Sequence, residues 1–201
     1  MNLTYSPLQA SILTASALLA AAIGLLGLLR RGHWLVTLLF SSAFLSVAAF
    51  QAGTVGFVQA DPGTAARSWA TYLAGVSALA SWLWLALSVV LARPDPWKQI
   101  RDAGAYLTLA LAGCAILWAI AGTDWVVRGV TGTAGEAAIH LGPLGKIYLM
   151  YLVVVMLVVL MNFESMLRIA PASTQRWLRP LFVAFLLGIL SELLVVSGGL
   201  L

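Results

Sequence analysis

Residues 146–167, KIYLMYLVVVMLVVLMNFESML, decide the fold of this chain. From Ile147 to Met161 the stretch carries no charged residue. A helix needs roughly 20 apolar residues to cross about 30 Å of hydrocarbon, and the whole stretch 146–167 is long enough. A strand of a membrane barrel would instead need alternating polarity over roughly 9–11 residues, and Leu149–Met161 has no alternation. The run therefore predicts a transmembrane α-helix.

Similar runs occur along the whole chain, and together they predict its architecture. The six runs are residues 8–29, 34–58, 69–92, 103–122, 146–167 and 178–200. Composition agrees, because 62% of the 201 residues are hydrophobic and 9% are charged, whereas an ordinary soluble domain has roughly 25% charged residues. In lipid a helix satisfies its own backbone groups. We therefore expect an all-α fold, with residues 1–201 forming one bundle of six transmembrane helices.

The basic residues predict the orientation of this bundle. Eight of the eleven lie on one side of the six runs: Arg30, Arg31, Arg93, Lys98, Arg101, Arg168, Arg176 and Arg179. Arg67, Arg128 and Lys146 lie on the other side. By the positive-inside rule the first group is cytoplasmic, which places both termini outside a bacterial inner membrane. The net charge of +4 is then a topology signal, and no nucleic-acid partner is expected.

The longest connection, residues 123–145, is expected on the outer side. Within it Thr133-Ala134-Gly135-Glu136 fits a capping box, and the next residues could continue as one or two helical turns before Gly142-Pro143 stops them. We therefore predict a short interfacial helix. Arg128, Glu136 and His140 are the candidate contact residues of this loop, and a plain connector is the alternative.

Inside the membrane, function would have to depend on the few polar side chains, because an ionisable group there is costly unless paired or hydrated. Glu192 lies about twelve residues beyond Pro180, on the order of 18 Å into the bilayer at 1.5 Å per residue. Gln51 is expected at a comparable depth. Two interpretations stay open: a ligand- or proton-sensing acid, or a hydrogen bond between Glu192 and Gln51 that sets packing.

Small residues at four-residue spacing predict where helices approach closely. Two such seams are Ser16, Ala20 and Gly24 on the first run, and Ala70, Ala74 and Ala78 on the third. Tyr148 is expected in an interfacial aromatic belt, and Cys114 as a small core residue. These positions predict that the first and third runs lie in the middle of the bundle or contact a partner.

The inventory of metal ligands and nucleophiles predicts no catalytic centre. His33 and His140 are expected on opposite sides of the membrane, so they cannot share a metal ion. We predict no cofactor, expect contacts with membrane lipids, and leave open a pigment or quinone bound beside the deeper tryptophans Trp82, Trp84 and Trp118.

The link between the fifth and sixth runs carries a family resemblance. Its sequence, MNFESMLRIAPASTQRWLRP over residues 161–180, resembles the membrane region of PrsK-type sensor histidine kinases of the exosortase and PEP-CTERM systems. The matching positions are Asn162, Glu164, Arg168, Arg176 and Trp177. The resemblance implies a membrane sensory bundle of a two-component system.

Three function classes follow from these observations. The chain ends at Leu201 without a phospho-acceptor histidine or nucleotide-binding motif, so we expect a non-catalytic sensory module, with a separate kinase as one partner. The alternative is an accessory subunit that packs against a larger integral membrane complex, for example a respiratory or photosynthetic one. A small-solute carrier comes third, because the runs show no polar path.

Overall fold

The structure is a computed structural model that describes residues 2–4, 7–29, 33–60, 64–91, 93, 95–133, 136–169, 175 and 179. The helices of this part are α1 (Pro7–Leu28), α2 (Trp34–Gln59), α3 (Thr64–Val90), α4 (Pro96–Asp102), α5 (Gly104–Ile120) and α6 (Pro143–Ile169). Its strands are β1 (Asn2–Thr4), β2 (Val127–Thr133) and β3 (Glu136–Leu141).

Several of these helices are long and apolar enough to cross a membrane. In the described residues α1, α2, α3 and α6 qualify singly, and the pair α4 and α5, bent by 73°, gives a fifth span if counted together. Asp95 caps α4 by accepting a hydrogen bond from the amide of Lys98 at 3.1 Å, so α4 starts as a separate short helix. The prediction of a helical, multi-pass membrane protein is confirmed. Five of the six predicted runs coincide with these helices, and residues 178–200 lie outside the described part.

The helices connect two chemically different ends of the bundle. At one end β3 pairs antiparallel with both β1 and β2, so residues 2–4, 127–133 and 136–141 lie together. At the other end the rings of Trp34 and Trp97 meet at 5.6 Å. We call the first the sheet end, and the second, which carries Arg93, Lys98, Arg101 and Arg168, the basic end.

The core is built around α3. In its most apolar stretch 72% of the residues are buried, against 22% for α6 and 11% for α1. Helices α2, α5 and α6 all pack on α3, whereas α1 packs chiefly on α2. The main cluster includes Trp84, Leu87, Val159 and Phe163, and joins α3 to α6 toward the basic end. The third run is therefore central, as predicted, and the first run lies at the edge of the described bundle.

Glycines allow α2 and α3 to meet closely at the sheet end. The ring of Trp69 lies over Gly56, where an added Cβ would be 2.7 Å from Cζ2 of the indole. The ring of Tyr72 lies over Gly53 in the same way, and the two rings meet edge to face at 5.6 Å. Glycine at these positions lets the aromatic rings lie against the backbone of α2.

The interfacial helix predicted for the outer loop is wrong. Thr133 and Glu136 pair with each other across the β2–β3 ladder, and residues 137–141 continue as strand rather than helix. Two residues separate the paired positions, and the second is Gly135, a residue that two-residue hairpin turns commonly use. Val126 and Val127 are 2% exposed and pack against Phe57 and Ala66, so tertiary contact favours the hairpin.

Candidate functional site

Polar side chains join α3 and α6 at two levels. The Tyr148 hydroxyl donates to the carbonyl of Ala74 at 2.9 Å and shares a hydrogen bond with Ser77 Oγ, which also lies 3.0 Å from that carbonyl. Nearer the basic end, Asn162 Nδ2 donates to Ser88 Oγ at 3.0 Å. Both helices run from the sheet end to the basic end, so these bonds hold two parallel helices in one register.

Helix α5 joins this arrangement beside α6, on the same face of α3. The Cys114 thiol donates to the carbonyl of Ala78 at 3.1 Å and lies 3.6 Å from the hydroxyl of Tyr151. Tyr151 donates to the carbonyl of Ala110 at 3.3 Å. The Trp82 indole donates to the carbonyl of Leu107 at 3.0 Å. We call this set the polar seam: Ser77, Ser81, Trp82, Ser88, Cys114, Tyr148, Tyr151 and Asn162.

The sequence of α3 explains why the seam forms there. Ser77, Ser81 and Ser88 follow one another at intervals of four and seven residues, so they lie on one face of the helix. Ala74 and Ala78 occupy the same face, and Ala78 is 0% exposed. Their small side chains leave the backbone carbonyls open to donors from α5 and α6. Small residues have this role in many membrane helix interfaces.

The chemistry of the seam is helix docking. The hydroxyls of Ser81 and Ser88 each donate a hydrogen bond of 2.7 Å to the backbone carbonyl three residues earlier. The buried side-chain atoms that lack a hydrogen-bond partner within the described residues are Ser41 Oγ, Gln51 Oε1 and Arg93 Nε. None of them belongs to the seam. The seam therefore satisfies its own polar groups, as a low-dielectric interior requires.

Of the two residues of the predicted intramembrane site, Gln51 is among the described residues. Gln51 Nε2 donates to Ser16 Oγ at 2.8 Å, which joins α2 to α1. Gln51 Oε1 is buried and has no donor among the described residues. Its predicted partner, Glu192, lies outside those residues.

The two small-residue seams of the sequence face neighbouring helices. Ala20 and Gly24 are buried against α2, where an added Cβ at Gly24 would lie 3.1 Å from the carbonyl oxygen of Ser41. Ala70 is 3% exposed at the sheet end, and the carbonyls of Ala74 and Ala78 are acceptors for donors of the polar seam. Ser16 accepts the Gln51 hydrogen bond.

The candidate outer contact residues lie on the small sheet. Arg128 and His140 are exposed, and Glu136 pairs with Thr133 and Thr4 through the strand ladder. Close by, Arg67 forms an ion pair of 2.5 Å with Asp124 and donates to the carbonyl of Gly122 at 3.1 Å. This ion pair fastens the start of α3 to the turn that follows α5.

The family-like positions fall at the basic end of α6. Asn162 belongs to the polar seam, whereas Glu164 is exposed and pairs with Arg168 one turn later at 2.5 Å. Arg176 and Trp177 lie outside the described residues, so their place relative to Arg168 stays a prediction.

Sequence reasoning missed most of the polar seam. Tyr148 was expected in the interfacial belt, yet it is 5% exposed and bonded to α3. The Ser77 to Ser88 series was a usable signal, because serines at helical spacing in an apolar run must find acceptors. What the spacing lacks is the identity of the facing helices.

The described residues hold no group of three or more His, Cys, Asp or Glu side chains that could bind a metal ion. No protein-family model, curated protein or solved structure matches the chain.

Proposed function

We propose that this protein is a non-catalytic membrane sensory module that transmits a change at the sheet end to the basic end through α6. The observation that carries the proposal is the link between the sheet and α6. The amides of Gly142 and Leu144 donate to the carbonyls of Val126 and Trp125, both at 3.0 Å, immediately before β2. An added Cβ at Gly145 would lie 2.4 Å from the carbonyl oxygen of Val126.

This link makes α6 a suitable transmitter. The helix continues without a break from Pro143 beside the sheet to Ile169 at the basic end. A displacement of the hairpin would act on the first turn of α6, and the polar seam offers hydrogen bonds that two helices can exchange when they slide. Helix shifts of about 1–2 Å are typical of such transitions.

The wider setting of the proposal follows from the sequence. Residues 178–200 would form a sixth span, both termini would lie outside a bacterial inner membrane, and Arg168, Arg176 and Trp177 would be the contact for a separate kinase. The resemblance of residues 161–180 to PrsK-type kinases supports this output. A protonated Glu192 would supply the donor for Gln51 Oε1.

An accessory subunit is the second candidate, and α1 favours it. This helix packs chiefly on α2 and exposes Leu18, Leu19 and Leu25 by 69%, 63% and 57%. Such an exposed apolar face can pack against a helix of a larger complex in place of lipid.

Pulsed electron paramagnetic resonance tests the transmission directly. Spin labels are placed at Asp102→Cys and Ser165→Cys, two exposed positions at the basic end, in a Cys114→Ala background. Gly145→Ala should change the distance between the labels by about 1–2 Å. Gly113→Ala is the matched control, because an added Cβ there meets nothing within 4 Å. Unchanged distances in a folded Gly145→Ala protein would contradict transmission.

Native purification in mild detergent separates the two candidates. Recovery with a separate kinase, or as a free bundle, agrees with the sensory module. Stoichiometric recovery within a large integral complex would favour the accessory subunit and contradict a free-standing sensor.

A further inference from the structure

A groove lies between α5 and α6, both of which pack on α3. Leu85 of α3 forms its floor, Tyr106 and Leu109 line it from α5, and Val154 and Val158 line it from α6. Its volume is about 190 Å³, below the ~300–1,000 Å³ of a pocket for a drug-sized molecule. The groove therefore suits a slender hydrocarbon chain better than the ring system of a pigment or quinone.

One end of the groove lies beside the cations of the basic end. Tyr106 lies one turn after the 73° bend, and α4 turns away from the axis of α5 at that level. On α4 the side chains of Lys98 and Arg101 are exposed. Tyrosine with neighbouring lysine and arginine is typical of the lipid headgroup level.

A third cation of this region has one nitrogen without an acceptor. The Nε of Arg93, in the loop between α3 and α4, is buried and has no hydrogen-bond partner among the described residues. Of the two nearby acids, Asp95 is engaged with the amide of Lys98, and Asp102 is exposed. Arg93 as a whole is only partly buried, and a guanidinium prefers an anionic oxygen as its hydrogen-bond partner.

We propose that this groove binds an acyl chain of an anionic phospholipid, whose phosphate lies among Arg93, Lys98 and Arg101. Charge complementarity favours this occupant, because the three cations outnumber the neighbouring carboxylates of Asp95 and Asp102, and a zwitterionic lipid adds no net negative charge. The site is independent of the sensory proposal. It would bind lipid equally well in an accessory subunit.

Native mass spectrometry of the protein in phosphatidylcholine nanodiscs doped with phosphatidylglycerol tests the site. Wild-type protein should retain phosphatidylglycerol in preference to phosphatidylcholine. The double variant Lys98→Gln and Arg101→Gln should lose about thirtyfold in affinity for phosphatidylglycerol, since each basic residue near a membrane surface contributes about fivefold. Soluble glycerol phosphate should not displace the lipid, because it lacks the chain that the groove holds.

A matched pair of tryptophan variants tests the groove itself. Leu109→Trp fills it from the open side, where Leu109 is 75% exposed, and should abolish selective retention. Leu111→Trp places the same ring on another face of α5, at a side chain 42% exposed, and should leave retention unchanged. Both positions face lipid, so neither change strains the core.

The proposal would be overturned by equal retention of phosphatidylglycerol and phosphatidylcholine by wild type, by equal behaviour of the two tryptophan variants, or by displacement of the lipid by glycerol phosphate alone. Wild-type protein that carries no lipid because residues 178–200 or a second copy covers the groove would also overturn it.

Discussion

Ala78 shows how a residue without a functional group can determine a site. Its methyl side chain leaves the carbonyl of its own residue accessible, and the Cys114 thiol from α5 uses that acceptor. Ala74 offers its carbonyl to Tyr148 of α6 in the same way. Alanine at these places therefore permits three helices to exchange hydrogen bonds that larger side chains would block. In lipid such close approach contributes as much to helix association as apolar contact does.

A double-mutant cycle on Ser77 and Tyr148 measures the seam. Tyr148→Phe removes the donor to Ala74 and the partner of Ser77, so the free energy of unfolding should fall by about 0.6 kcal/mol, the average for interhelical hydrogen bonds in membranes, and by no more than about 1.7 kcal/mol. The losses of unfolding free energy caused by Ser77→Ala and Tyr148→Phe should not add up to the loss measured for the double variant. Steric-trapping measurements of unfolding in bicelles provide the readout.

Tyr106→Phe is the control for this cycle, because the Tyr106 ring is 43% exposed and not part of the seam. It should leave stability nearly unchanged. Strict additivity of Ser77→Ala and Tyr148→Phe would show that the two hydroxyls do not interact.

At the scale of elements, backbone hydrogen bonds join the hairpin to α6. The turn before β2 accepts the first amides of α6, and Val126 and Val127 pack on the ends of α2 and α3. The sequence of residues 133–136 matched two local patterns, a capping box and a hairpin turn. Pairing of β3 with β1, more than a hundred residues away in the chain, is a non-local contact that favours the strand. Local pattern alone could not choose between them.

The crossing of α2 and α3 gives a prediction at the same scale. Gly56→Val should lower the free energy of unfolding by about 1–3 kcal/mol, the usual cost of overpacking, because the Trp69 indole already lies where the Cβ would be. Gly113→Val is the control, since that position is open. Unfolding by steric trapping measures both, and equal costs would mean that propensity rather than the Trp69 contact determines the effect.

At the scale of the whole molecule, the ends of the bundle separate by chemistry. Strands and the Arg67–Asp124 ion pair lie at one end, while Arg93, Lys98, Arg101 and Arg168 lie at the other. The start of the chain and the 123–145 connection were expected on the same side of the membrane. The β1–β3 pairing places residues 2–4 and 136–138 at one end of the bundle.

Labelling of single cysteines tests which end is cytoplasmic. In a Cys114→Ala background, Ser165→Cys should react with a membrane-impermeant maleimide only after the inner membrane is opened, because the positive-inside rule places the basic end in the cytoplasm. Arg128→Cys, at the sheet end, should react in intact spheroplasts. The reverse pattern would invert the proposed topology.

The sequence by itself determined the membrane class of this protein, the apolar runs that form α1, α2, α3, α5 and α6, and the grouping of its charges. These properties follow from transfer of side chains between water and lipid, which depends on composition along each run. Only the tertiary structure decided that α3 is the hub, that Tyr148 is buried on Ser77, and that residues 136–141 are strand. Those outcomes depend on which faces meet, and in lipid every face of an apolar helix is equally acceptable until a neighbouring helix supplies a carbonyl or a close contact.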